Sequence, residues 1–235
     1  MMALAGLLWI AGASAAPLWA KLLDATERHI ELQGPDSDTA RFISLAGEVA
    51  WEDREHLLKL TERYLDSDNP GSVAGAIEVL YRLHGYHPLQ RIGASTFEEK
   101  NADYFSVLDK AILDHVPHAI ALNNDDVFRT LALYLGTSKA RGAHEALLKI
   151  VALAGDNEQV AICLAWHRDP SDMEVLLPLM LRDTPVAASL PYHFRNAYGR
   201  AALPYLRRAQ SEARGRFTRE HATEELKVLE SSPTE

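Results

Sequence analysis

The sequence predicts an all-α chain of short antiparallel helical hairpins, and three observations predict it. Apolar residues recur at spacings of three and four nearly everywhere. Sustained strand-like alternation is scarce, and similar segments return at intervals near 30 residues in the C-terminal half. With 235 residues, 47% hydrophobic and 24% charged, the chain can bury a sizeable core. Its 13 Gly and 11 Pro are too few for a fibrous or low-complexity chain.

Residues 1–20 carry no charged side chain, and Ala3 to Ala13 form an apolar run. Ala13-Ser14-Ala15 then offers the small-x-small pattern of a signal-peptidase site, so residues 1–15 read as a signal peptide and Ala16 as the mature start. Only the terminal amine supplies positive charge there, and a buried capping helix in a cytoplasmic protein is the alternative. An exported protein without a stable transmembrane anchor is expected, because the run nears 20 residues only by including Gly, Ser and Pro.

Residues 16–123 read as an N-terminal helical region of degenerate repeats and capping elements. "DTARFISLAGEVA" and "WEDREHLLKLTERYLD" form a helical pair ended by Asp66-Ser67-Asp68-Asn69-Pro70. "GSVAGAIEVLYRLHG" is a further helix, and "YHPLQRIGASTFEEKNA" a long loop or insertion. "ADYFSVLDKAILDHV" is helical and is expected to stop before Pro117.

Residues 124–229 read as seven short helices, with 230–235 as a tail. In "DDVFRTLALYLG", Asn124 or Asp125 caps the helix, Val127, Leu131 and Tyr134–Leu135 make its stripe, and Gly136 ends it. "SKARGAHEALLKIVALAG" buries Ala143, Leu147, Ile150 and Val151 and stops at Gly155. "DNEQVAICLAWHRD", "PSDMEVLLPLMLRD", "TPVAASLPYHFRNAYG", "RAALPYLRRAQSEA" and "FTREHATEELKVLE" follow. Two kinds alternate. The aromatic and small-residue kind aligns Phe128, Val160, Phe194 and Thr218, at separations of 32, 34 and 24. The leucine-rich kind aligns Ala146, Val175 and Ala202, separated by 29 and 27. One hairpin per imperfect period near 30 is the signature of an α-solenoid.

These segments resemble HEAT repeats of the armadillo-like superfamily. "FRNAYGRAALPYLRRA" carries Arg195 at that family's usual arginine position and starts its second helix at Ala201–Leu203. "TREHATEEL" repeats the opening with Arg219, whereas "VAICLAWHRDPSDMEVLLPLML" has Ala161 where arginine is usual. The resemblance covers about residues 124–229 and implies stacked hairpins in an armadillo-type superhelix. It implies no particular function, because such arrays serve unrelated partners.

Chemical motifs are sparse. Cys163, the single cysteine, lies in apolar "VAICLAW" and excludes both disulfides within the chain and CxxC sites. His115-Val-Pro-His118 has ligand spacing, but Pro117 is expected to break the helix that would align the rings. "HEALL" places Leu148 where a second zinc ligand would stand. "HRD" at 167–169 shares three letters with the kinase catalytic loop and lacks its companions. A hairpin turn at Asp169-Pro170, with Trp166 packed beside it, is the simpler reading. With no GxGxxG, GxxxxGK[ST] or GxSxG, neither catalytic residues nor a cofactor or metal is assigned.

The net charge of −9 is uneven. Residues 186–222 hold seven arginines against Glu212 and Glu220, net +5, while residues 1–185 sum to −11. Arg195, Arg200, Arg207, Arg208, Arg214, Arg216 and Arg219 could meet phosphates, with Tyr192, Phe194, Tyr198 and Tyr205 to stack on bases. A HEAT-like nucleic-acid binder or DNA glycosylase-type enzyme is therefore the alternative function. Three features oppose it: the segment has no lysine, the whole chain is acidic, and Phe194 and Tyr198 fall at core spacing. A non-enzymatic scaffold binding a protein partner is expected. Trp51, Tyr192, His193, Arg195, Arg207 and Arg208 are its candidate contact residues.

Overall fold

The computed structural model describes residues 54–85 and 102–231, together with Glu27. The signal-peptide, "DTARFISLAGEVA" and "YHPLQRIGASTFEEKNA" segments, like Trp51, lie outside the described residues. Every regular element among the described residues is helical. The chain divides into two compact units, Met1–Leu122 and Asn123–Glu235.

In the first unit, α1 (Arg54–Leu65), α2 (Pro70–Gly85) and α3 (Ala102–Ala121) pack against one another. Leu58, Leu65, Val73, Ile77, Leu80, Leu108, Ile112 and Val116 fill the space between them. Pro70 opens α2, where its missing N–H costs nothing, and the Asn69 side chain accepts from the Gly71 amide at 3.0 Å. Pro117 does not end its helix: α3 runs through it to Ala121. Tertiary packing outweighs the single lost bond, since Val116 and Ala119 are buried on either side.

The second unit contains the seven expected helices. They are α4 (Asp125–Thr137), α5 (Ala143–Ala154), α6 (Glu158–Trp166), α7 (Asp172–Met180), α8 (Pro185–Tyr198), α9 (Leu203–Glu212) and α10 (Arg216–Ser231). A 3-10 turn at Gly199–Ala202 precedes α9. Asn124, Asn157 and Thr184 each accept from backbone amides at the first turns of α4, α6 and α8. Gly199 adopts φ 55°, a conformation that lets the chain reverse after Tyr198.

Helix α4 packs on α6, α6 on α8, and α8 on α10, while α5, α7 and α9 pack alongside them. Phe128, Val160, Phe194 and Thr218, the four positions aligned from sequence, are all buried. The second alignment slips by one residue at α7: Val175 is 40% exposed, and Leu176 beside it is fully buried. Gly136 lies in the last turn of its helix. Helix α4 continues to Thr137, and Gly136 is buried against Cys163 of α6. Its missing side chain serves a close helix crossing there.

Among the described residues, six polar side-chain contacts between successive hairpins span 28 to 33 residues, and Arg182–Asp156 and Arg207–Glu230 span 26 and 23. The Leu135 carbonyl pairs with His167 across 32 residues, His144 with Asp172 across 28, and Glu174 with Tyr205 across 31. Ala188 pairs with His221 across 33, Arg195 with Glu225 across 30, and Arg200 with Leu229 across 29. The last three contacts advance together along both helices, so α8 and α10 run parallel.

Candidate functional site

Most of the candidate surface comes from α8 and α9. Buried Val186, Ala187, Leu190 and Phe194 seat α8 in the core, which leaves Tyr192 half exposed. His193 meets the Tyr192 ring edge-on at 5.3 Å between centroids, and the Arg195 guanidinium lies 5.3 Å from the same ring. Arg195 Nε also stands 2.6 Å from Glu225 Oε2, with both side chains largely covered. The two atoms are close but not aligned as a hydrogen bond, so the contact is chiefly an ion pair. Burial holds His193 below the usual imidazole range, and the nearby Glu158 charge partly opposes that.

Six of the seven arginines of this segment are turned toward carboxylates and carbonyls, and Arg214 is exposed. Arg207 reaches Glu230 at 3.1 Å, and Arg208 grips both oxygens of Glu212 at 3.2 and 3.1 Å. Arg216 pairs with Glu220 at 2.7 Å. Arg219 donates to the Ala213 and Arg214 carbonyls at 2.6 and 2.9 Å, closing its own preceding loop. Arg195 and Arg219, equivalent in the alignment, therefore act differently: one bridges to the next hairpin and the other staples a turn. Of the aromatics, Phe194 is buried, and Tyr205 is held by Glu174 at 2.8 Å. The surface that results has mixed charge with an exposed tyrosine.

A second group of residues, absent from the sequence-based candidates, gathers where four helices begin or end. His144 stands at the start of α5, His167 caps the end of α6, Asp172 opens α7, and Tyr198 ends α8. His144 Nε2 lies 2.6 Å from Asp172 Oδ1, and the Asp172 side chain is only 1% exposed. His167 Nε2 donates to the Leu135 carbonyl at 2.9 Å, which fixes that nitrogen as the protonated one. The two imidazole centroids are 5.3 Å apart.

Asp172 Oδ2 and the Tyr198 hydroxyl are both buried without a hydrogen-bond partner. Burial pushes the Asp172 carboxyl up, opposed by its bond to His144. Burial raises the Tyr198 hydroxyl well above its ordinary value, and the Asp172 and Asp169 charges raise it further. His167 is lowered by burial first, with the Leu135 bond opposing.

His144 and His167 both fall within sequence motifs considered above, but those motifs pointed to metal and kinase chemistry. The signal that does unite the group is the hairpin period, which sets Asp172 28 residues after His144.

The remaining chemical candidates are structural. Cys163 is buried, and its thiol is pushed up to about 12 by desolvation, which leaves it protonated and unreactive. His115 faces Asp66 at 3.3 Å and His118 the Ser67 carbonyl at 3.0 Å, so both rings tie α3 to the α1–α2 turn. Asp169 Oδ1 accepts from the Ser171 amide and hydroxyl at 2.9 and 2.7 Å, making the expected turn, while Trp166 is 41% exposed.

Among the described residues, no group of three or more His, Cys, Asp or Glu is placed to hold a metal ion. No helix among them is long and apolar enough to cross a membrane. Comparison with protein-family models, with curated proteins and with solved structures finds no match to this chain.

Proposed function

We propose that the second unit is a HEAT-like α-solenoid of the armadillo type, and that the chain is a non-enzymatic module binding a protein partner. The observation that carries the reading is the ladder of contacts between hairpins at separations of 28 to 33 residues. A separation near one hairpin length is what a one-dimensional stack of similar hairpins produces, because each unit meets only its neighbours. Such stacks present extended faces suited to polypeptide partners.

The choice of protein over nucleic acid rests on charge. Arg195, Arg207, Arg208 and Arg216 each already face a glutamate. A phosphate would have to displace those carboxylates, which reduces the counterion release that drives nucleic-acid binding. Tyr192, half exposed and flanked by Arg195 and His193, has the character of an interface anchor: aromatic, amphipathic and already oriented. The reading extends to an exported protein on the strength of residues 1–16 alone.

The test is co-purification from the native host with the wild type and with the Tyr192→Ala/Arg208→Glu double variant, alongside titration of a fluorescent DNA duplex. A specific partner lost in the double variant at unchanged thermal stability supports the reading. Duplex binding that weakens steeply with salt and with Arg207→Glu or Arg208→Glu overturns it in favour of nucleic acid. Turnover at the His144–Asp172 group would overturn it in favour of an enzyme. N-terminal sequencing checks export: a mature chain beginning at Ala16 is expected, and an intact Met1 in the cytosol refutes it.

A further inference from the structure

Two imidazoles and one buried carboxylate meet where the α4–α5 and α6–α7 hairpins join. His144 holds Asp172, thereby linking α5 to α7, and His167 holds the Leu135 carbonyl, linking α6 to α4. The two rings stand 5.3 Å apart. The Asp172 carboxylate is buried and pairs with His144 alone among the described side chains, so it can balance one imidazolium and not two. We propose that His144, His167 and Asp172 form an acid-sensitive clasp between consecutive hairpins, one that holds with one imidazolium and loosens with two.

The groups acting on the clasp come from each surrounding element. Helix α4 contributes only the Leu135 carbonyl, α5 His144, α6 His167, and α7 Asp172. The turn before α7 adds Asp169, which is exposed and already bonded to Ser171, and α8 adds the neutral Tyr198 hydroxyl near both carboxylates. None of these supplies a second buried anion. The uncompensated charge therefore falls on His167, whose protonation is opposed first by burial and further by the neighbouring His144, and is favoured by the Leu135 bond and by Asp172 and Asp169, with burial prevailing.

The sign follows from linkage. A histidine held below its ordinary value in the folded chain contributes stability above the unfolded value of about 6.5, lost as pH falls toward the folded value. Once charged, His167 still donates to the Leu135 carbonyl, but its ring and the His144 ring, 5.3 Å apart, share one buried anion, and their repulsion loosens the junction. Gly136 sits one residue beyond that carbonyl and packs directly on Cys163, so loosening there reaches the α4–α6 crossing.

Ring-proton NMR of the full chain between pH 8 and pH 4.5, with thermal unfolding over the same range, tests the clasp. His167 is expected to titrate below an ordinary imidazole. Its midpoint should move up in His144→Gln, which keeps an amide donor for Asp172 and cannot charge. The loss of Tm on acidification should shrink in His167→Gln, whose amide still reaches Leu135. An unchanged His167 midpoint in His144→Gln, or an undiminished acid loss in His167→Gln, overturns the proposal. Should either variant fail to fold, the wild type carries its own readout. The Arg168 amide donates to Ala165 at 3.1 Å and should lose exchange protection in acid before the amides of α8 do. Uniform loss of protection would refute the clasp.

Discussion

A β-carbon added to Gly136 would stand 2.9 Å from Cβ of Cys163 and 3.0 Å from its carbonyl oxygen. Both neighbours are rigid: one is the first side-chain atom and the other is backbone, so neither can swing aside. Gly136→Ala is therefore expected to push α4 and α6 apart and cost about 1–3 kcal/mol, like other overpacked cores. Chemical denaturation measures it, and a loss below the error of the method would show that the crossing is looser than described.

Gly199 gives the contrasting case. A β-carbon there meets nothing within 4 Å, but φ is 55°. Gly199→Ala should lower stability by roughly 1–3 kcal/mol through backbone strain alone. Because ψ is −132°, outside the left-handed helical region, Asn gains no relief over Ala there, and a β-branched residue should cost most. Ala and Asn are expected to lower Tm alike and Val further; a Tm for Asn equal to that of Gly would count against this backbone conformation.

Cys163 is predicted to be silent toward thiol reagents in the native chain at pH 8. Its thiol, pushed up to about 12, is almost wholly protonated there, and the side chain is inaccessible. Labelling should appear only with unfolding, so a reaction with Ellman's reagent before the unfolding transition would contradict the burial.

Tyr198→Phe removes a buried hydroxyl that has no partner. At pH 7 the change should be neutral or stabilising by about 1 kcal/mol, because a desolvated group is deleted with no bond lost. The native chain holds the phenolic proton above the ordinary value near 10. That contribution is complete below pH 10 and declines as pH rises beyond it. Alkaline unfolding of the phenylalanine variant should accordingly start at higher pH, and an earlier onset would count against the placement of this hydroxyl.

Arg195 and Glu225 join α8 to α10 with side chains 25% and 15% exposed. Removing Arg195 leaves a largely covered carboxylate, and the partial exposure limits the loss to about 1 kcal/mol. A double-mutant cycle with Arg195→Ala and Glu225→Ala should give a favourable coupling of that order, weakened by salt. Zero coupling at low salt would mean that the pair only accompanies the helix contact.

The sequence by itself determined the helical class, the seven helices after Asn124, and the cap that opens the first of them. Local chemistry decides each of these: apolar residues at spacings of three and four make a helix stripe, and an Asn side chain can satisfy first-turn amides. Its register was right for Phe128, Val160, Phe194 and Thr218, large or β-branched residues whose burial dominates their placement. It slipped at Val175, where the adjacent apolar residues of "VLL" fit the pattern equally well and only the neighbouring helix chooses among them.

Tertiary structure alone decided the rest. Pro117 carries a strong local stop signal, and packing across the helix overrode it. The arginine surplus looked like a free basic surface until the fold brought Glu225 and Glu230 back beside Arg195 and Arg207. His144, His167, Asp172 and Tyr198 share no linear motif; four helix ends carry them to one place. A sequence displays which side chains can bond, but a contact across some thirty residues exists only after each hairpin has settled on the one before it.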